Sequence, residues 1–229
     1  MRRKLPDPPE ITPLMRVQVK NLARDLLIQN GLRGVSFGDI AKTLGTTRAN
    51  IHYHFGSKQR LVEEVLEDYV DETLSGMHAV LMRDDSTLIE KIEATLEISR
   101  RRHAKYNSGG KSGRPWSLIA RMRQDSEALT PKGRTALKRF ATGLEKSIAA
   151  AVRRSKERGE FNQSMPAEDV ALQLMSIANS AGPITQDAGN FDRLEQLYRA
   201  FSRIIQHAYG QKPVRKASAR ATKAKQPSR

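Results

Sequence analysis

The chain has 229 residues, 38% of them hydrophobic and 5% aromatic, with 40 Lys/Arg against 25 Asp/Glu and a formal net charge of +15. The absence of cysteine excludes a disulfide framework and a thiolate metal site, and it fits a reducing, cytoplasmic compartment. No apolar run approaches the roughly 18 residues of a membrane span, and no apolar stretch follows the basic start as it would in a secretory signal. The charge is uneven. Residues 1–60 hold eleven basic and four acidic side chains, residues 61–209 twenty-two and twenty-one, and residues 210–229 seven and none. That distribution describes a polyanion-binding end, a near-neutral body and a basic tail.

In chain order, residues 1–11 carry three prolines and charges of both signs and read as a disordered arm. Thr12-Pro13 is a helix start, with threonine as N-cap and proline at the first helical position. Met15, Val19, Leu22 and Leu26 give the first helix its apolar face, and Asn30-Gly31 ends it. Ser36 to Asp39 has the form of a capping box opening a second helix. Ala41, Gly45 and Ile51 follow at the spacing of two short helices meeting sharply. Ala41 lets the backbones approach, Gly45 can take the positive φ that ends the second helix, and Ile51 plugs the third into the core. The hydroxyl-rich stretch from Thr46 to Asn50 is left facing outward, where a DNA groove can be read.

Gly56-Ser57-Lys58 is a break and a new N-cap. A long fourth helix follows, with Leu61, Val65, Leu66, Tyr69 and Val70 apolar. Thr87 to Glu90 is a second capping box, opening a fifth helix that reaches about Tyr106. Residues 107–115 form the clearest internal loop. A sixth helix holds Trp116, Leu118, Ile119 and Met122. Thr130-Pro131 opens a seventh that runs to Arg158 before Gly159. Pro166 and Gly182-Pro183 bound the eighth, and the ninth spans about Asn190 to Tyr209. Residues 210–229 reduce to a low-complexity basic tail, read as disordered. No alternating strand pattern and no fixed-period repeat is present.

The segment Ile51-His52-Tyr53-His54-Phe55-Gly56-Ser57-Lys58, followed by Leu61, resembles the DNA-binding region of the TetR (tetracycline repressor) family of bacterial regulators. The resemblance covers residues 13–60 closely and the remainder as architecture. It implies an all-α fold: a three-helix helix-turn-helix DNA-binding domain at 12–58 and a larger helical domain at 59–209 for effector binding and dimerisation. It also implies a homodimer on a palindromic operator in double-stranded DNA, with no membrane partner and no cofactor. Thr46, Thr47, Arg48 and Asn50 lie where the family contacts bases or phosphates. Arg can bridge guanine O6 and N7, and Asn adenine N6 and N7. Tyr53, His54 and Lys58 lie where it contacts phosphate, and His52 stands where tyrosine is commoner.

Against each reading stands a plainer one. Arg48 and Asn50 can be ordinary exposed polar residues. His52 and His54, two apart on a helix, face different ways and do not suit a shared metal, so no metal site is expected. Gly109-Gly110-Lys111-Ser112 mimics the end of a phosphate-binding loop, but the glycine it needs five positions earlier is Lys105. In the body, His78, His103, Tyr106, Trp116, Ile119 and Met122 are the candidates for a pocket holding a small, mainly apolar effector, although such residues also build ordinary helix cores. Val170, Leu174 and Ile177 on one helix, with Leu194, Leu197 and Phe201 on the next, are the candidate dimer face. Two rivals remain: an architectural DNA-binding protein without ligand response, and a helical enzyme fused to a DNA-binding region. No nucleophile–base set supports an enzyme.

Overall fold

A computed structural model describes residues 13–108 and 113–211. Ten α-helices follow one another: α1 (Pro13–Asn30), α2 (Phe37–Leu44), α3 (Arg48–Phe55), α4 (Lys58–Leu81), α5 (Leu88–Tyr106), α6 (Leu118–Gln124), α7 (Pro131–Glu157), α8 (Ala167–Asn179), α9 (Ala181–Ala188) and α10 (Asp192–Tyr209). A short 3₁₀ turn, Ser126–Ala128, lies between α6 and α7. Among the described residues there is no strand, only one isolated antiparallel bridge between Phe161 and Gly210. The arm, the Thr12 cap, the Gly109–Ser112 stretch and the tail beyond Gln211 lie outside the described residues.

The helix starts follow local chemistry. Ser36, Thr47, Ser57, Thr87 and Thr130 each accept a hydrogen bond from the backbone N–H three residues on, satisfying a donor the helix itself cannot. Thr87 and Glu90 form the full reciprocal box. Ser36 and Asp39 form half of one: aspartate, one methylene shorter than glutamate, accepts a hydrogen bond from the Ser36 hydroxyl instead, at 2.6 Å. Gly45 ends α2 in the left-handed region, at φ 63° and ψ 30°, where a side chain is strained.

The first three helices close over Val19, Ala23, Leu27, Ile40, Ala41, Ile51 and Phe55, all buried. The buried face of α1 is rotated from the expected one: Leu22 and Leu26 are only partly covered, while Ala23 and Leu27 point inward. α4 packs on α1 and α7, α7 on α8, and α10 on α5, α8 and α9. Buried residues of both parts form one contiguous core.

Three boundaries differ from expectation. Trp116 precedes α6, on the non-helical stretch 113–117. The expected single helix through residue 182 is two, α8 and α9, parted at Ser180. Gly182 and Pro183 then sit in the first turn of α9, where proline has no hydrogen bond to lose. Gly182 is there for a close crossing: a Cβ at this position would meet the Cβ of Ala120 at 2.7 Å. No helix among the described residues is long and apolar enough to cross a membrane.

Candidate nucleic-acid interface and the cavity behind it

The turn Gly45–Thr47 hands the chain from α2 to α3, with Thr46 N donating to Ala41 O at 3.0 Å. On α3, Ile51 and Phe55 are buried while Arg48, Ala49, His52 and Tyr53 face solvent. Tyr53 is 67% exposed, unusual for so large a ring, and stacks edge-on against His54. His52 lies edge-on to Phe37 at 6.2 Å. Thr47 is exposed, Thr46, His54 and Lys58 are half-buried, and Arg48 makes no hydrogen bond or ion pair within the described residues. Thr47, Arg48, His52, Tyr53 and Lys58 therefore share an accessible, basic and aromatic end of the molecule. Asn50 does not join them. It is 5% exposed, and its Nδ2 donates to Thr46 Oγ1 at 3.1 Å while its Oδ1 is buried without a partner. The expectation of a base contact from Asn50 is corrected. One turn of α3 separates Asn50 from Thr46, so its amide braces the turn instead.

Arg16 of α1 holds this end in place. Its guanidinium donates to His54 O at 3.1 Å and to Glu64 at 2.6 Å, and it lies over the Phe55 ring at 4.4 Å. A cation against the last turn of α3 also suits the helix dipole. Lys20–Asp68 and Arg24–Glu72 extend the pairing at four-residue steps along α1 and α4. The i, i+4, i+8 spacing of bases on α1 and acids on α4 is visible in the sequence; that the two rows face one another is not.

The body encloses a cavity of about 60 Å³ bordered by every helix from α4 to α10. A smaller space of about 10 Å³ adjoins it and shares Met77, Leu144, Ala178 and Tyr198. Of the candidate pocket residues, Trp116 and Ile119 border this cavity. Four others do not, and each is a correction. His78 is exposed, its Nδ1 3.2 Å from Ser147 Oγ between α4 and α7. Met122 is fully buried packing. Tyr106 donates its hydroxyl to Asp25 of α1 at 2.7 Å, tying α5 to the first helix; burial first, then that bond, raises its pKa. His103 is buried beside Trp116 and Phe191 with Nε2 unpartnered, and its pKa is lowered, by burial first and Arg100 second. These four share helices with the cavity, but helical phase turns them elsewhere. Thr73, Met77, Arg102, Arg123 and Tyr198, which do border it, carry no local motif that could have marked them.

Through α6, the cavity wall is joined to the end of the molecule that carries α3. Ile119, Ala120 and Arg123 border the cavity, and Asp125, which caps the same helix, accepts a hydrogen bond from Leu32 N at 2.7 Å in the α1–α2 loop. α4 does the same over a longer span, from Lys58 beside α3 to Tyr69, Thr73 and Met77 at the cavity.

The candidate dimer face is also corrected. Val170, Leu174, Leu194 and Phe201 are at most 5% exposed within the single protomer, packed in its own core. Ile177 and Leu197 are half-buried. The large apolar side chains these two helices leave in solvent are Leu172 and Ile204, 66% and 65% exposed. The expected stripe was the inward face because α8 and α10 each carry apolar residues on two sides. Among the described residues no group of three or more His, Asp or Glu is placed to hold a metal ion.

Comparison with known proteins fits this geometry. Residues 21–65 match the family model described as bacterial regulatory proteins, tetR family. Over 104 residues, 44% of this chain and 50% of the relative, the sequence is 31% identical to the HTH-type transcriptional repressor KstR2 of Mycolicibacterium smegmatis. The chain thus spans half or less of the length of the curated relatives it matches. Solved structures share the fold over most of the chain. A regulatory protein TetR from Rhodobacter sphaeroides has a TM-score of 0.72 at 16% identity, covering 83% of this chain and 98% of that one. A protein from Saccharomonospora viridis, solved in complex with choline, has a TM-score of 0.68 at 22% identity, covering 88% and 100%.

Proposed function

We propose that the chain is a TetR-family regulator, a ligand-responsive transcriptional repressor that binds a palindromic operator as a homodimer; the match of residues 21–65 to the family model and the 31% identity to a repressor over 104 residues support this reading. The observation that carries the reading is the outward face of α3. Arg48, His52 and Tyr53 stand free of the core on a helix short enough to enter a major groove. In this reading Arg48 reads a base edge, while Thr47, Tyr53 and Lys58 contact phosphates and set the register. The reading unit is residues 12–58, and residues 59–209 form the effector and dimer body.

The dimer joins α8 and α10 of two copies through Leu172 and Ile204, with Ile177 and Leu197 at their flanks. A two-fold contact of this kind places two copies of α3 on the two halves of a palindrome. The effector enters the cavity beside Trp116. At about 60 Å³ that space is far below the roughly 300 Å³ and more of a typical ligand site, so a ligand must part the helices that border it. Parting α6 from α4 strains the Asp125–Leu32 bond and tilts α4, which displaces α3 from its groove. That a neighbour of the same fold was solved with a small molecule supports a body built for one.

The test is selection of bound fragments from genomic DNA followed by footprinting. A protected short palindrome is the expected result. Even coating of any duplex would favour an architectural DNA-binding protein. Recovery of a chemically altered ligand after incubation would favour the enzyme reading.

A further inference from the structure

We propose that the effector is an amphipathic oxyanion, a carboxylate or phosphate monoester on an apolar body, whose head group sits between Arg102 and Arg123. The inference rests on the effector reading above and names the chemistry of its site. The cavity is bordered by two guanidinium groups and by no acidic side chain. Six arginines of the body, Arg100, Arg101, Arg139, Arg153, Arg154 and Arg199, each have a carboxylate within 4.0 Å, whereas Arg114, Arg121, Arg134, Arg193 and Arg203 have none among the described residues but do not border the cavity. Arg102 and Arg123 have none among the described residues. Arg102 lies 5.5 Å over the ring of Tyr69. Arg123 gives a single hydrogen bond, to Asn179 Oδ1 at 3.2 Å. A guanidinium carries five N–H donors in a planar fork matched to carboxylate and phosphate oxygens, so most of this donor capacity is unspent.

Two further observations point the same way. Burial pulls the pKa of Arg123 down, the mark of a cation losing water without gaining a counter-charge; it still stays protonated at neutral pH. An anion beside it would restore what burial removes. Deeper in, the hydroxyls of Thr73 and Thr95 are buried with no partner, and both residues border the cavity or its adjoining space. Around them the wall is apolar, formed by Met77, Leu81, Ile92, Leu144 and Ile148. The site thus has a cationic mouth and an apolar depth. A cationic ligand would meet two like charges there, and a neutral one would leave Arg123, whose charged form burial already disfavours, without a counter-charge.

Trp116, the single tryptophan, borders the cavity and reports on it. Its indole N–H is already given to Thr185 Oγ1 at 2.7 Å, so the ring acts through its face and a ligand need not compete for that bond. The experiment titrates the full-length protein, by Trp116 fluorescence, with straight-chain, cyclic and aryl carboxylates. Each is paired with its own primary amide, with the phosphate monoester of the same tail and with the matching amine. Carboxylate or phosphate should bind about 10- to 100-fold more tightly than the amide, as charge-assisted hydrogen bonds predict, and the amine most weakly. Whichever anion binds more tightly identifies the head group. Arg102→Met and Arg123→Met should each lower the anion's affinity more than the amide's and so erode that preference, with thermal melts of each variant showing that it is folded. Amides binding as tightly as their anions, or a preference that survives both substitutions, would overturn the inference. The same compounds are then added to the protein–operator complex. An amide that releases operator where its carboxylate and phosphate do not overturns the oxyanion alone. No release and no fluorescence change from any class would overturn the effector reading with it.

Discussion

At the α3 end the side chains proposed to meet DNA stand outside the core: Arg48, His52 and Tyr53 are in solvent over a floor of Ile51 and Phe55. In the body the arrangement is inverted, with Arg102, Arg123, Thr73 and Trp116 around an internal space whose walls are the packing of seven helices. The difference sets how each half responds to change. A side chain on an outward face can be removed with little effect on folding, so its loss is read as affinity. A side chain on an internal wall contributes to packing and to ligand at once, so stability and response shift together. It also explains why the link between them matters: an internal site can act on an external one only through elements that touch both, here α6 and α4.

The largest effect should come from removing the floor itself. Ile51→Ala deletes a fully buried side chain, which costs about 2–5 kcal/mol, and should unfold the first three helices and abolish operator binding while Trp116 still reports ligand in the body. Loss of both signals in calorimetric and fluorescence melts would show that the two halves fold as one unit, as their contiguous core allows.

Arg48→Ala should weaken the cognate operator by about 1–3 kcal/mol with no change in melting temperature. Asn50→Ala should show the reverse pattern, a lower melting temperature and a similar loss on every duplex, because Asn50 braces the turn at Thr46. Sequence-selective loss from Asn50→Ala alone would reverse the assignment of the two residues.

Asp125→Ala tests the link. Leaving Leu32 N without its acceptor should cost about 1–3 kcal/mol of stability, and the ratio of operator affinities with and without ligand should move toward one. An unchanged ratio would put the coupling through α4 alone.

His103 gives the body a sensitivity to acid. Burial holds its folded pKa below the ordinary 6.5, so it is neutral in the fold while the unfolded chain takes up a proton. Its stabilising contribution is complete above pH 6.5, falls as the pH drops below that value and levels off once the folded pKa is passed. Thermal melts of wild type and His103→Gln across pH 5–8 should therefore converge toward the acid end. Parallel curves would show that His103 protonates without resistance.

The smallest effect belongs to the α1–α4 ladder. Neutralising Glu64, Asp68 and Glu72 together to Gln, Asn and Gln should cost less than about 1 kcal/mol per exposed pair, and the loss should vanish in high salt. A loss that persists in high salt would make the ladder a packing feature, with Arg16 over Phe55 as its source.

Local sequence determined most of the outer half. The caps at Ser36 and Ser57 and the left-handed glycine at 45 are short-range effects, each complete within about four residues, and each stands where the sequence implies it, as do the body's caps at Thr87 and Thr130. The class of the fold follows from the same signals, since helical periodicity and caps recur throughout. For α1, α8 and α10 the tertiary structure decided which apolar side is inside. Val170, Leu174, Leu194 and Phe201 have the periodicity of an interface and of a core alike, and only the neighbours of α8 and α10 separate the two. Tyr106 could face a ligand or Asp25, and the placement of α1 against α5 chose Asp25. Asn50 lies in the segment proposed to read DNA, yet the path of the turn before it closes the amide over Thr46. The cavity belongs entirely to this second category. Its walls come from residues up to about 130 positions apart, between Tyr69 and Tyr198, and no local rule of spacing or propensity acts over that distance.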